Sequence, residues 1–256
     1  MRAQGHPFLW TLLSFAIVFV AWELTVRLFA LPEYLLPGPE PVLVALAQNI
    51  RTLAVQSLWT AGTVLAGFLV AAAVAIPLAM LIVISPVLER LLYPPMVATQ
   101  SIPKIALAPL FIVWFGFGVA PKVAVAFLIA FFPIVIDTIV GLRSIDPAMI
   151  QLARSMGAPP RRIFLKLRLP HALPMIFGGL KVASALAVVG ALTGEFVGSD
   201  RGLGYLLVQA SGNLNTALLF ATLVILSAMA MAFFYMVEML ERIAIPWHAS
   251  QRAHPR

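Results

Sequence analysis

The chain has 256 residues, of which 62% are hydrophobic and only 11% are charged, and its mean hydropathy is +1.00. Soluble domains carry about 25% charged residues, so this composition excludes a soluble globular fold and indicates a protein solvated by the lipid bilayer. The net charge is +7 and cysteine is absent, which excludes disulfides, thiolate metal sites and cysteine nucleophiles.

Six apolar segments are long enough to cross a bilayer, because about 30 Å of hydrocarbon requires roughly 20 residues of helix. The first, 8–29, follows Arg2 in the manner of a secretory signal, but no small-residue cleavage site follows it, so we expect it to be retained. The remaining predicted spans are 57–84, 92–115, 123–142, 173–196 and 215–237. Pro77 lies inside the second span and is expected to bend that helix without ending it.

Two stretches depart from simple apolar helix. Between the first two spans, 31–56 contains the proline-rich segment 36–41, which predicts a short amphipathic surface helix. The third span is expected to be irregular because it contains Pro94, Pro95, Pro103 and Pro109. No internal repeat or linker divides the chain, which predicts a single membrane domain over 1–256.

Basic residues lie between the apolar segments, which predicts control of topology and not a nucleic-acid surface. Positive loops are retained in the cytoplasm, so six spans place both termini on the cytoplasmic side. Only four basic residues then lie outside: Arg27, Arg51, Lys122 and Arg201. Eleven lie inside: Arg2, Arg90, Arg143, Arg154, Arg161, Arg162, Lys166, Arg168, Arg242, Arg252 and Arg256.

The segment between the fourth and fifth spans, about 143–170, is too polar for lipid and has the pattern of two short helices. Asp146 suits an N-cap, Pro147 the first helical position, and Gly157 a left-handed C-cap. Pro160 suits the start of a second helix, which is expected to stop before Pro170. The apolar residues of the first helix recur at helical spacing: Met149, Ile150, Ala153 and Met156.

Such a short helix is marginal in water unless it packs against something. Its apolar face can pack on the chain's own membrane helices, lie in the lipid interface, or fill a socket on a partner protein. The pattern alone leaves these alternatives open.

Residues at fixed spacing run through the segment: Gln151-Leu152-Ala153, Gly157, Leu167 and Leu169-Pro170. They resemble the cytoplasmic signature of binding-protein-dependent ABC importer permeases: Glu-Ala-Ala, three residues, Gly, nine residues, Ile, one residue, Leu-Pro. The spacing matches throughout, while Gln151, Leu152 and Leu167 differ in residue type. Other stretches resemble the branch that handles sulfonates, taurine and nitrate: 102–110, 114–116, 141–143, 169–174 and 202–205. The stretch 211–216 is more similar to members of this branch that import pyrimidine precursors.

The resemblance implies an all-α, six-helix type I ABC importer permease fold with a cytoplasmic coupling helix, in a bacterial cytoplasmic (inner) membrane. It implies a second permease copy, expected to be identical, ATP-binding cassette subunits that hold ATP and Mg, and a periplasmic or extracellular substrate-binding protein. This chain has no Gly-x-x-x-x-Gly-Lys-Ser/Thr motif, so no cofactor is expected in it. The residues expected to couple it to the ATPase are Pro147, Gln151, Ala153, Gly157, Leu169 and Pro170.

Charged residues inside spans are candidate functional residues, because each is costly in hydrocarbon. Lys104 beside Pro103 is expected to mark a break that faces a pathway. For Asp137 and Glu195, near span ends, reaching the interface or structural pairing is favoured over lining the pathway. Lys181 lies deeper, and pairing with a carboxylate or lining an anion route are equal alternatives.

Two other functions are compatible with parts of the pattern. A self-sufficient, ion-coupled secondary transporter would use the intramembrane charges for coupling and the 143–170 segment as a gate. A membrane enzyme is disfavoured, because the sequence shows no paired carboxylates and no histidines at metal-ligand spacing. Glycines 202 and 204 lack the context of a nucleotide fingerprint and are expected to permit a tight re-entrant turn.

Overall fold

The computed structural model describes residues 7–247, which form helices and connecting turns without a strand in that range. A 3₁₀ turn spans Lys104–Leu107, and a π-helical turn spans Phe164–Arg168. The α-helices are α1 Pro7–Leu28, α2 Pro39–Gln48, α3 Ile50–Ile84, α4 Pro86–Thr99, α5 Ala108–Phe115, α6 Val119–Arg143, α7 Pro147–Ser155, α8 Pro160–Ile163, α9 Leu169–Gly198, α10 Leu203–Gly212 and α11 Thr216–Ala244.

Helices α3, α6 and α9 form the centre of the bundle and approach one another through small residues. A Cβ added at Gly67 of α3 would lie 2.5 Å from the Cβ of Ala126 on α6. A Cβ added at Gly190 of α9 would lie 2.6 Å from the Cα of the same alanine. Side chains larger than these would separate the helices, as in other membrane bundles that pack through small residues.

The two ends of the bundle differ in charge. At one end α3 and α6 finish, α9 begins, and α7 and α8 lie between them; we call it the basic end. At the other, α3 and α6 begin, α9 finishes near Glu195, and α10 follows; we call it the glutamate end. Three arginines used in the topology prediction lie outside the described residues: Arg2, Arg252 and Arg256. Within 7–247, most of the residues predicted to be cytoplasmic lie at the basic end.

By length and composition, four described helices can cross a membrane: Ile50–Ile84, Val119–Arg143, Pro160–Gly198 and Thr216–Ala244. A fifth crossing is possible if Pro86–Thr99 and Lys104–Phe115 act together, although they are bent by 91°. The predicted irregularity of 92–115 is therefore confirmed, since four prolines deprive this region of continuous helical hydrogen bonds. The count of six spans is not confirmed, since the described residues give four such helices, or five with the bent pair.

The predicted second span, 57–84, lies inside α3, whose more polar first turns begin at Ile50. One predicted boundary is wrong. The helix that begins at Pro160 was expected to stop before Pro170, yet helical structure continues from Pro160 to Gly198. The N–H of Leu169 donates a hydrogen bond to the carbonyl of Phe164, five residues earlier, and this bond closes the π-helical turn. Pro170, at the start of α9, is accommodated after this wider turn.

The predicted surface helix in 31–56 is present as α2. Its Val42 and Ala45 are buried against Ala221 of α11. Nearby, the indole N–H of Trp22 in α1 donates to the carbonyl of Pro37 at 3.0 Å. The segment therefore joins α1 to α11.

Candidate functional site

Helix α7 begins at the predicted cap. The Oδ1 of Asp146 accepts a hydrogen bond from the N–H of Ala148 at 2.8 Å, and Pro147 occupies the first turn, where a missing N–H does no harm. The carbonyl of Asp146 also accepts from the N–H of Met149 at 3.0 Å. The start of the helix is therefore fixed by its own residues.

The end of α7 is a Schellman motif. Gly157 has φ of +78°, the left-handed conformation that glycine adopts without strain. Its N–H donates to the carbonyl of Arg154 at 2.9 Å, and the N–H of Ala158 donates to that of Ala153 at 3.0 Å. The left-handed C-cap predicted from the sequence is confirmed, and α7 is a closed, rigid unit of nine residues.

The apolar residues of α7 point in two directions. Ile150 and Ala153 are half-buried and face the chain's own helices. Met149, Leu152 and Met156 are 52%, 61% and 79% exposed. They lie at i, i+3 and i+7, so they form one stripe on the outer side of the helix. We call these three residues the α7 stripe.

The other predicted coupling residues lie around this stripe. Pro147 and Gln151 are exposed on α7, and Gln151 lies on a different face from the stripe. Leu169 and Pro170 are half-buried at the start of α9. The structure thus places Pro147, Gln151, Ala153 and Gly157 on one unit, with Leu169 and Pro170 in the following helix.

The predicted break at Lys104 is confirmed, since a 3₁₀ turn follows Pro103. The Nζ of Lys104 donates to the Oε1 of Gln100 at 2.7 Å and lies 5.6 Å from the ring centroid of Phe132. Asp137 of α6 is half-buried beside Gly179 and has no ion pair within residues 7–247. No ion pair joins Lys104 to Asp137.

Lys181 of α9 is paired. Its Nζ lies 2.7 Å from the Oε2 of Glu241 on α11, and the two side chains are 24% and 8% exposed. Of the two alternatives left open by the sequence, the structure shows the ion pair. Because burial strengthens such a pair and penalises breaking it, this contact fixes α11 against α9.

Glu195 is 2% exposed, and its carboxylate is held by hydrogen bonds inside the bundle, which agrees with the structural alternative favoured for it. The Oγ1 of Thr60 donates to its Oε1 at 2.8 Å, and the N–H of Gly204 donates to its Oε2 at 2.7 Å. The same Oγ1 accepts from the N–H of Leu203 at 2.8 Å. Gln56 Oε1 accepts from the N–H of Gly202 at 2.6 Å. We call Gln56, Thr60 and Glu195 the α10 clamp.

The α10 clamp satisfies the N–H groups that begin a helix and have no partner within it. A carboxylate also suits this position electrostatically, since a helix N-terminus carries partial positive charge. Gly202 has φ of +106°, and a Cβ there would lie 2.3 Å from the Glu195 carboxyl group, so the turn requires glycine. The predicted tight turn is thus confirmed.

Several of these residues were not singled out from the sequence. Gln56 and Thr60 lie in α3, far from Glu195 in sequence, and Glu241 lies 60 residues from Lys181. The sequence predicts Lys122 outside the spans, but it is 7% exposed in α6 and donates to the Oγ of Ser199 at 2.5 Å. Gln56 and Thr60 lie one turn apart on a largely apolar helix. This spacing of polar residues is the feature of the sequence that could have indicated a buried polar contact.

Within residues 7–247, no group of three or more histidine, aspartate or glutamate side chains is placed to hold a metal ion.

A family model described as "Binding-protein-dependent transport system inner membrane component" matches residues 71–244. The chain belongs to this family. It is 36% identical to the formylaminopyrimidine transport permease protein ThiX of Halalkalibacterium halodurans, over 93% of this chain and 96% of that one. It is 32% identical to the putative aliphatic sulfonates transport permease protein SsuC of Bacillus subtilis, over 72% and 67%. The nitrate, sulfonate and taurine branch predicted from the sequence is therefore confirmed.

A solved structure of the MetNI methionine ABC transporter in an inward-facing conformation matches with a TM-score of 0.64 at 22% identity, covering 75% of this chain and 95% of that one. The all-α type I importer permease fold is confirmed by this match. The chain is a multi-pass inner-membrane permease component of an ABC importer, and not an enzyme. Family membership also decides against the self-sufficient secondary transporter.

Proposed function

We propose that α7 is the coupling helix of this permease and that the α7 stripe fills a groove on a separate ATP-binding cassette subunit. The observation that carries the proposal is a helix closed at both ends with three large apolar side chains exposed. An apolar surface of this kind at the end of a helical bundle is typical of a protein contact. The family signature over 151–170 supports the same placement.

In this proposal the chain is one permease domain over 1–256, with the coupling segment at about 143–170 and both termini in the cytoplasm. It pairs with a second, identical copy. Closure of the ATPase subunits on ATP and Mg draws the two α7 helices together and changes the membrane helices from inward-open to outward-open. Shifting such an equilibrium from 1:99 to 99:1 requires about 5.5 kcal/mol, which a rigid capped helix can transmit.

The solute is delivered by a periplasmic or extracellular binding protein and is a small molecule of the sulfonate or pyrimidine-precursor class. The names of the relatives ThiX and SsuC support these two classes. Lys104 and Asp137 are the proposed pathway residues, since neither forms an ion pair within residues 7–247. Lys181 and Glu195 have structural partners, so their contribution to a pathway is indirect.

The decisive test is co-purification of the ATPase subunit with variants of α7. Leu152→Glu places a carboxylate in the proposed apolar contact and is expected to reduce the recovered ATPase roughly tenfold or more. Gln151→Glu adds the same charge on another face of the helix and restores the residue type of the family signature, so it is expected to bind normally. Undiminished recovery with Leu152→Glu would refute the placement of the contact.

The solute class is tested separately by calorimetric titration of the importer's binding protein with a set of sulfonates and a set of formylaminopyrimidines. Binding of one set and not the other assigns the class. Binding of neither set contradicts the class and leaves the coupling test unaffected.

A further inference from the structure

A pocket of about 520 Å³ lies at the basic end, between the last turn of α3 and the segment from α7 to the π-helical turn. Its apolar wall is formed by residues of α3, α7, α8 and the π-helical turn: Val83, Ile84, Ile150, Ile163 and Phe164. Its charged wall consists of Arg154, Arg161 and Arg168. No carboxylate lines it. We call this the arginine pocket.

The three guanidinium groups form no hydrogen bond or ion pair with any residue of 7–247. Four carboxylates towards the basic end are engaged with other groups, and Asp137, which has no ion pair within residues 7–247, does not line the pocket. Glu89 lies 2.7 Å from Arg143, and Asp146 caps α7. The remaining two pairs are Glu238 with Arg242 at 2.6 Å and Glu241 with Lys181 at 2.7 Å. Three arginines around one pocket therefore lack a counter-charge.

The apolar wall lies where the membrane-spanning part of α3 ends. Ile84 is the last residue of that helix and is 60% exposed, and Val83 beside it is half-buried. Ile163, on the opposite wall, is 5% exposed. The pocket thus combines an apolar surface at the membrane boundary with the positive charges of three arginines. This combination suits an anion that also has an apolar part.

We propose that the arginine pocket binds an anionic phospholipid, with the phosphate on the arginines and the first part of an acyl chain against Val83, Ile84 and Phe164. Planar guanidinium groups bind phosphate oxygens in pairs, and basic pockets between membrane helices are suited to lipid headgroups. A free inorganic anion would leave the apolar wall uncovered, which favours the lipid.

Bound lipid would act on the coupling segment. Arg154 belongs to α7, Arg161 to α8 and Arg168 to the π-helical turn before α9. One headgroup would therefore join α7 to the start of a membrane helix without contacting the α7 stripe. Lipid binding in the arginine pocket does not depend on the proposed coupling role of α7. Only the choice of the cytoplasmic leaflet as the source of the lipid rests on the proposed orientation of the chain.

The test is native mass spectrometry of the full chain in detergent, titrated with phosphatidylglycerol or phosphatidylcholine. Phosphatidylglycerol is expected to bind at least about tenfold more tightly. The double variant R161Q/R168Q is expected to lose roughly 30-fold in affinity for it. R162Q/K166Q is the matched control: it removes two charges from the same segment outside the pocket and is expected to change affinity by less than about threefold.

Three results would overturn the proposal. Equal losses of lipid affinity in the two double variants would mean that the lipid is attracted by the overall positive charge of the segment and not by the pocket. Displacement of the lipid by excess inorganic phosphate would mean a site for free anions. Unchanged lipid binding in R161Q/R168Q, together with loss of ATPase co-purification, would mean that the arginines contact the ATPase. Leu152→Glu is expected to leave lipid binding unchanged, so failure of the coupling proposal can be told apart from failure of this one.

Discussion

The two ends of the bundle are held by different kinds of contact. At the basic end, α7 is fixed by hydrogen bonds between residues at most five apart, such as Ala158 to Ala153. At the glutamate end, α10 is fixed by side chains of other helices, and Thr60 and Glu195 are 135 residues apart. The first arrangement shapes a segment while leaving its outer face free. The second ties separate helices into one body.

This contrast fits the proposed coupling role of α7. On that proposal, a segment that fits a partner needs a fixed shape and an exposed surface, and local caps supply both. An end that must hold its helices in place needs buried contacts across the bundle. Substitutions at the glutamate end should therefore reduce stability, whereas those at the basic end should reduce coupling.

The largest effect is expected for Glu195→Ala, which leaves Thr60 and the N–H of Gly204 without their acceptor inside the protein. We expect a loss of about 3 kcal/mol in the free energy of unfolding, measured by denaturation of the purified chain in detergent. Glu195→Gln retains one acceptor oxygen and should lose about half as much. An unchanged unfolding midpoint in the alanine variant would contradict the structural role of the clamp.

A smaller loss, about 2 kcal/mol, is expected for Thr60→Val, because the N–H of Leu203 then lacks a partner in a buried site. Thr63→Val is the matched control on the same helix. Its Oγ1 donates only to the carbonyl of Trp59, one turn earlier, so the change should stay within about 0.5 kcal/mol. Equal losses of unfolding free energy in the two variants would show that the contact of Thr60 with α10 does not stabilise the protein.

The smallest effect on stability is expected at the basic end. Gly157→Val places a β-branched residue at φ of +78°, where it costs about 1–2 kcal/mol locally, and its Cβ has no neighbour within 4 Å. Because opening the last turn of α7 alone can relieve this strain, the bundle should unfold at nearly the same midpoint. The ratio of solute uptake to ATP hydrolysis in the reconstituted complex should fall about tenfold.

Gly62→Val serves as the control for this variant. Gly62 also has open space around its Cβ position, but its φ is that of an ordinary helix. Both uptake and stability should be nearly unchanged in Gly62→Val. A similar fall in uptake for both variants would contradict a special role for the end of α7.

The contrast between the two ends also explains how much the sequence could predict. Asp146, Pro147 and Gly157 indicated the caps of α7 because their hydrogen bonds join near neighbours. Pro103 likewise indicated the break before α5. These features follow from local backbone chemistry.

The α10 clamp could not be predicted in the same way, because Gln56, Thr60 and Glu195 meet only after three helices have packed. The partner of Lys181 was missed for the same reason, since Glu241 lies 60 residues further along. The continuation of helix through Pro170 depended on a wider turn that no residue type marks. Pattern alone also did not separate the two faces of α7, because that depends on where α3 ends.

Ala126 has a consequence for how the protein can change shape. It is held on one side by Gly67 and on the other by Gly190, with no space for even one added carbon atom. Sliding α3 or α9 past α6 would drive larger neighbours into these gaps, so the three helices must travel as a single block. If transport proceeds by the proposed alternating access, we expect its hinges outside that block, for example at the 91° bend between α4 and α5.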